Sequence, residues 1–438
     1  MRVALPIALQ SLIGSSLNLV DNIMVGRLGE TEVAAVGVGI LPFILFWMVL
    51  FGFNSGSAAF ISQFFGARDG KNIKKTLGFA ICVSACIGIL FFSIGRFFPE
   101  LFVNIITNND ALKPLATEYI KVGSFCFLFL GFTVPFTFCL RATQQTRLPL
   151  YISAFAFCVN TFLNYVLIFG NFGAPRLGVM GSALATVIAR ALELTLVLTI
   201  VFFGKNMIAG KPLEYFGWAR EFASRVVGIA LPTMLNETVW GAGSALYTVA
   251  YARMATTEFA AFQASRVIEN LFIMAAFSIG DAALILIGQR LGAGELDYGF
   301  ALAKKMLKIT AVMGLCFGAL MIAASKPIIG FYNFSGEGQK YAFYILVIYG
   351  SLMFVFLINS LIVVGILRAG GDTKAAMAID CSTVWVIGVP TAFITTQFLR
   401  LPIYFCVLLV SMEEAVKLSL LIRRFRSRKW VKNVITNL

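Results

Sequence analysis

Long apolar runs separated by short polar stretches dominate this chain. A bilayer core of roughly 30 Å needs about 20 apolar residues per helix. Twelve such runs can be read: 4–25, 34–62, 76–98, 116–140, 149–170 and 178–203, then 227–252, 260–288, 306–325, 341–366, 376–398 and 401–422. The pattern predicts an all-α membrane protein with twelve transmembrane helices. The first run follows directly on Met1-Arg2, contains Asp21 and reaches spanning length, so it is expected to be a transmembrane helix and not a cleaved leader.

The pattern repeats. Leu5-Pro6 and Leu231-Pro232 open runs at an offset of 226, and Arg27, Thr31, Glu32, Ala34 and Ala35 meet Arg253, Thr257, Glu258, Ala260 and Ala261 at the same offset. Gln63, Gly66 and Ala67 likewise meet Gln289, Gly292 and Ala293. After one inserted residue, Leu140-Arg141-Ala142 and Thr146 meet Leu367-Arg368-Ala369 and Thr373 at 227. Two copies of six spans share one orientation, which makes them a parallel repeat related by an axis along the membrane normal. The expected organisation is an N-lobe over 1–204, a linker over 205–225, a C-lobe over 226–423 and a basic cytoplasmic tail over 424–438. The linker mixes charges with Tyr215, Phe216 and Trp218, which fits an amphipathic interfacial segment as well as an ordinary loop.

Charge fixes the orientation. With the N-terminus inside, 24 of the 35 Lys and Arg residues fall in cytoplasmic loops or the C-terminal end. Nine fall outside, and Arg190 and Arg266 stay within the membrane. That bias places both termini in the cytoplasm of a plasma-membrane protein. It also accounts for the net charge of +14 without nucleic acid. Charged residues make up 13% of the chain, against roughly 25% in soluble domains. Eight cysteines lie in apolar runs without a CxxC pair, so neither disulfides nor a metal cluster is expected. Histidine is absent, which leaves any proton chemistry to carboxylates. The segment Gly66-Ala67-Arg68-Asp69-Gly70-Lys71-Asn72 fails the phosphate-loop spacing, and Gly37-Val38-Gly39 lacks a third glycine. No nucleotide and no cofactor is expected, and transport would draw on an ion gradient.

An ionisable side chain at bilayer depth costs at least ~2.5–3.5 kcal/mol on insertion scales. Asp21, after Ser15, Ser16 and Asn18, lies roughly 22 Å beyond Pro6. It is the first candidate for proton uptake or, with neutral oxygens, for holding Na⁺; a helix-end aspartate reaching water near Arg27 is the competing reading. Asn160 and Asn164 share one face of the fifth run at i, i+4 and can supply carbonyl oxygens to Asp21, or serve as packing contacts. Glu237 is the second-half candidate for cation or proton binding. Arg190 with Glu193 and Arg266 with Glu269 form i, i+3 pairs read as structural, and Asp281 and Asp380 are further intramembrane acids. Glu413, Glu414 and Lys417 read as charges snorkelling to the cytoplasmic interface.

The chain resembles the multidrug and toxic compound extrusion (MATE) family across nearly its whole length. The resemblance rests on Leu5-Pro6, Leu19-Val20-Asp21-Asn22-Ile23-Met24-Val25-Gly26, Gln63-Phe64-Phe65-Gly66-Ala67, Leu163-Asn164-Tyr165-Val166-Leu167-Ile168-Phe169-Gly170 and Leu177-Gly178-Val179-Met180-Gly181-Ser182-Ala183. In the second half it rests on Ile287-Gly288-Gln289-Arg290-Leu291-Gly292-Ala293-Gly294 and Arg368-Ala369-Gly370-Gly371-Asp372-Thr373. It implies two six-helix lobes arranged as a V. It also implies efflux of organic, often cationic, compounds in exchange for H⁺ or Na⁺ by a monomer. Asp21 falls where the family carries a first-helix acid, and Glu237 where many members carry a seventh-helix glutamate. Asn164 stands where some relatives have a second acid, and the tenth run around Leu357 lacks the acid of one branch. The alternatives are a flippase for lipid-linked polysaccharide precursors, a passive channel, or a membrane-embedded enzyme, for which no nucleophile–base set is present.

Overall fold

The computed structural model describes residues 3–107, 109–204, 206–330 and 334–436, with the side chains of Asn18 and Ala275 outside that set. Arg2, Lys205 and the Asn18 side chain, all used above, therefore lie outside the described residues. Helix accounts for 85% of the structure, and no strand occurs among the described residues.

Each apolar run falls on a helix. In the first half these are α1 (Ala4–Gly26), α2 (Glu30–Gly66), α3 (Gly70–Phe97), α4 (Phe125–Ala142), α5 (Arg147–Phe169) and α6 (Val179–Phe203). In the second they are α7 (Arg220–Tyr251), α8 (Thr256–Gly292), α9 (Leu296–Ile329), α10 (Gly336–Leu367), α11 (Thr373–Phe398) and α12 (Ile403–Arg426). Among the described residues, nine of these are long and apolar enough to cross a membrane on length and composition alone. The other three, α1, α7 and α12, are diluted by polar residues, among them Asp21, Glu237 and the Glu413–Glu414–Lys417 group.

Four spans are not simple rods. α2 is interrupted at Ile40, just ahead of Pro42. The fourth predicted run is two helices, Lys113–Gly123 and α4, joined through Ser124. α11 widens into π-helical turns at Thr383–Gly388 and Ile394–Phe398, and α10 ends in one at Leu361–Leu367. Apolar periodicity reports burial and carries no signal for such turns, so the sequence reading passed through them.

The chain divides into two units, Met1–Phe65 with Asp69–Val227, and Gly66–Arg68 with Gly228–Leu438. In the first, α1 packs on α5, α5 on α6, α3 on α4 and α4 on α6. Its aromatic centre is the fully buried Phe127, whose ring lies 4.6 Å from Phe43 and 4.7 Å from Phe46. In the second, α10 packs on α8, α9 and α12. Helices approach closely where glycines meet: a methyl group at Gly318 of α9 would run into the Gly350 carbonyl of α10, the small-residue contact common between membrane helices. Large apolar side chains such as Leu19, Ile23, Ile89 and Val312 are exposed outward, as lipid-facing positions must be.

The linker forms a short helix, Pro212–Phe216, that buries Tyr215 and leaves Leu213 and Phe216 exposed. The C-terminal end packs back on its lobe. Trp430 is fully buried, with its ring 5.7 Å from Phe425 and 6.1 Å from Phe300, and Arg424 forks onto Asp372 at 2.6 and 2.7 Å.

Candidate functional site

The first unit brings Asp21, Asn160 and Asn164 together. α5 ends at the left-handed Gly170, and α6 begins after the left-handed Gly178. That tight return sets the asparagine face of α5 against Ser182 and Thr186 of α6. The Asn164 amide donates to the Asp21 carboxylate and also to Asn160 Oδ1 at 3.1 Å. Asn160 Nδ2 donates to Thr186 Oγ1 at 3.2 Å, and the Thr186 hydroxyl also faces Asp21. Asn160 and Asn164 are fully buried, while Asp21 is partly exposed. Asn164 Oδ1 and Ser182 Oγ are buried without a hydrogen-bond partner. A carboxylate beside unsatisfied neutral oxygens is a donor set for a proton or a small hard cation.

Arg190 lies within electrostatic reach of Asp21, yet its hydrogen bond goes to Glu193 at 2.7 Å. Glu193 in turn accepts from Ser153 at 2.9 Å, Ser153 accepts from Gln10 at 3.0 Å, and Gln10 accepts from Arg141 at 2.7 Å. A polar chain therefore threads α4, α1, α5 and α6.

The second unit repeats that chain. Arg368 donates to Glu237, 131 residues away, the same separation as Arg141 and Gln10. Beside Glu237, Asn236 donates to Asp380 at 3.2 Å; Lys417 pairs with Asp380 at 3.0 Å and donates to Glu414 at 2.8 Å. Here the helices are α10, α7, α11 and α12. Asp380 lies 227 positions beyond Ser153, and because α12 starts 224 positions beyond the start of α6 (403 − 179), the i, i+3 pair Glu414–Lys417 falls on Arg190–Glu193 with its signs exchanged.

Glu237 therefore sits in an ion pair with a fully buried arginine. Arg368, counted above with the loop charges, is 1% exposed. The snorkelling reading of Glu413 and Lys417 fails as well. They are 4% and 2% exposed, because their partners lie inward on other helices: Glu413 accepts from Tyr247 of α7 at 2.6 Å, and Lys417 reaches Asp380 of α11. Arg266 and Glu269 pair at 3.5 Å, with Arg266 also donating to Ser244 at 2.6 Å. Asp281 is buried on α8. Gln10, Ser153 and Thr186 carry no signal within their own helices, and Arg141 stands out only through the repeat. There the signal was present, since Arg141 and Arg368 match in the repeat and Gln10 and Glu237 lie at the same 227 offset.

The sequence profile of the MatE family matches residues 6–166 and 232–394, one block in each half. The chain belongs to the MATE family. It is accordingly a multi-pass membrane transporter and not an enzyme. A Thermotoga maritima protein described as a probable multidrug resistance protein, NorM, is 22% identical over 99% of this chain and 93% of its own length. A Bacillus subtilis protein described as an uncharacterized transporter, YisQ, is 26% identical over 94% of this chain and 90% of its own. Among solved structures, an outward-facing MATE transporter of the MOP superfamily superposes with a TM-score of 0.87 at 17% identity, covering 98% of this chain and 95% of that one. A Pyrococcus furiosus MOP-superfamily transporter, described as having a binding pocket of reversed polarity, superposes at 0.85 with 18% identity, covering 98% and 95%. Those two likenesses establish the fold of this MATE protein.

Proposed function

We propose that this MATE protein is a secondary active antiporter that exports organic, cationic and amphipathic compounds in exchange for H⁺ or Na⁺ taken up at Asp21. The observation that carries the reading is the company Asp21 keeps. It is an acid on a membrane-spanning helix whose hydrogen-bond partner is the neutral amide of Asn164, while Arg190 is bonded to Glu193 instead. A carboxylate in that position needs a counter-charge from outside the protein, and a proton or Na⁺ provides one.

Uptake of the ion removes one negative charge and recruits Asn160, Asn164 and Thr186 around it. Transport follows only if inward- and outward-open states bind the ion and the substrate with different affinities, so that the ion favours the state that releases substrate. A cationic substrate favours the ionised carboxylate, and the 43 phenylalanines of the chain offer aromatic walls. We place the protein in the plasma membrane with both termini in the cytoplasm, on the strength of the Lys and Arg distribution.

The test is efflux of a fluorescent organic cation from sealed proteoliposomes under a pH gradient alone and then a Na⁺ gradient alone, with wild type and Asp21→Asn. One gradient drives concentrative export in wild type and neither does in the variant. Export by Asp21→Asn at the wild-type rate would remove Asp21 from the mechanism, and gradient-independent equilibration would indicate a channel.

A further inference from the structure

The repeated polar chain carries an acid, Glu193, at the position where the second lobe carries a lysine, Lys417. Lys417 is 2% exposed, and its ammonium lies 3.0 Å from Asp380 and 2.8 Å from Glu414. Glu413, held by Tyr247, acts on the same ammonium electrostatically. Two carboxylates, Asp380 of α11 and Glu414 of α12, thus contact one positive charge, and Glu413 acts on it at longer range.

A second feature points into the same place. Asn359 of α10 is 3% exposed and donates to the Glu414 carboxylate at 2.7 Å. Its Oδ1 has no hydrogen-bond partner, and Asn359 lines a cavity together with Asp380, Glu414 and Lys417. Carboxylate oxygens and an unsatisfied amide oxygen around a small cavity are the surroundings of a monovalent cation. Here the cation is covalently attached.

We propose that Lys417 is a built-in cation: its ammonium takes the place of an exchangeable monovalent ion among Asp380, Glu413 and Glu414 and closes the C-lobe to such ions. In the first lobe Ser153 stands 227 positions before Asp380 and α5 carries no carboxylate, so the arginine of that lobe, Arg190, pairs with Glu193 without an acid in the place of Asp380. The consequence for coupling, that ion exchange is confined to the N-lobe, rests on the reading of Asp21 above; occupancy of the C-lobe by Lys417 does not.

The test is a melting-temperature titration of the purified full-length protein, in which NaCl replaces N-methyl-D-glucamine chloride at constant ionic strength. The Asp21→Asn background removes the N-lobe site. Asp21→Asn is expected to show no Na⁺ response. Asp21→Asn/Lys417→Ala is expected to melt lower without Na⁺ and to regain about 2 °C or more with saturating Na⁺. Saturable stabilisation of Asp21→Asn with Lys417 intact would overturn the proposal, and so would a Lys417→Ala protein that neither melts lower nor responds. If Lys417→Ala does not fold, Lys417→Ala/Glu414→Gln, with one buried negative charge fewer, is titrated with the same two outcomes. Failure of the antiport reading shows separately, as export persisting in Asp21→Asn liposomes, and leaves this titration unaffected.

Discussion

Arg368→Gln is the sharpest structural perturbation available in the C-lobe. Arg368 is 1% exposed, and its partner Glu237 is 7% exposed. At a contact distance of ~3 Å and an effective dielectric of about 20, the direct attraction is about 5 kcal/mol. Removing one member of a buried pair leaves the other without compensation and typically destabilises by about 3–5 kcal/mol. Both routes give the same scale. A body of 150–250 residues loses about 2–4 °C of melting temperature per kcal/mol, so Arg368→Gln is expected to melt roughly 6–20 °C below wild type. Glu237→Gln should do less damage, because its amide oxygen still accepts from Arg368. Glu237→Gln/Arg368→Gln should recover most of the loss, since no charge is then stranded. The assay is thermal unfolding of the detergent-purified protein, ranked across the cycle. The reasoning is falsified if Arg368→Gln melts within about 2 °C of wild type, or if the double variant melts below the sum of the two single losses.

Replacing Asn164 by Leu removes the donor to Asp21 and the unsatisfied Oδ1, and should weaken the apparent affinity for the driving ion by about tenfold or more; unchanged ion dependence of efflux would count against the site. A methyl group at Gly388 would meet both the Tyr247 hydroxyl and the Glu413 carboxylate, so Gly388→Ala should separate that pair and destabilise by about 1–3 kcal/mol, read as a lower melting temperature. A methyl group at Gly78 would collide with the backbone at Tyr215, so Gly78→Ala should undock the linker helix and expose it to proteolysis, with an unaltered cleavage pattern as the refuting result. The Lys74 ammonium, 2.6 Å away, holds the Glu214 carboxyl below its ordinary 4.5. A carboxyl depressed in the folded state stabilises above its unfolded pKa, and that contribution is lost as pH falls through the folded value. Hydrogen exchange over 212–216 should therefore rise as acid carries the pH below the ordinary glutamate range, and become insensitive to that change in Lys74→Met.

The spans were legible because lipid imposes a length and a composition on every helix that crosses it. The asparagine pair was legible because i and i+4 share a helix face, and Asp21 because charge is scarce at that depth. The C-lobe charges were harder. Glu413, Glu414 and Lys417 lie in the last span, and their composition alone fits snorkelling to the interface. Only the partners on α7, α10 and α11 show that they point inward, and those contacts join residues 37 (417 − 380) to 166 positions apart. Spacing within one helix does not reveal such pairing. The repeat could have revealed part of it, since Arg141 and Arg368 were aligned but their acceptors were not compared.

Comparing those acceptors gives the two lobes different roles. Duplication supplies two copies of one scaffold contact, an arginine on α4 or α10 holding α1 or α7. In the first lobe the arginine holds a neutral glutamine, and the free acid of that lobe, Asp21, stands a few turns further along α1 beside neutral oxygens. In the second lobe the arginine holds Glu237, and Asp380 and Glu414 meet Lys417. A carboxylate with a permanent partner pays little attention to the ions in solution, because binding one requires expelling the partner first. A carboxylate among amides and hydroxyls has no such competitor. On the proposed reading, the same fold is ion-indifferent in one half and ion-responsive in the other. That asymmetry predicts that Asp21, not Glu237, decides whether an ion gradient drives export.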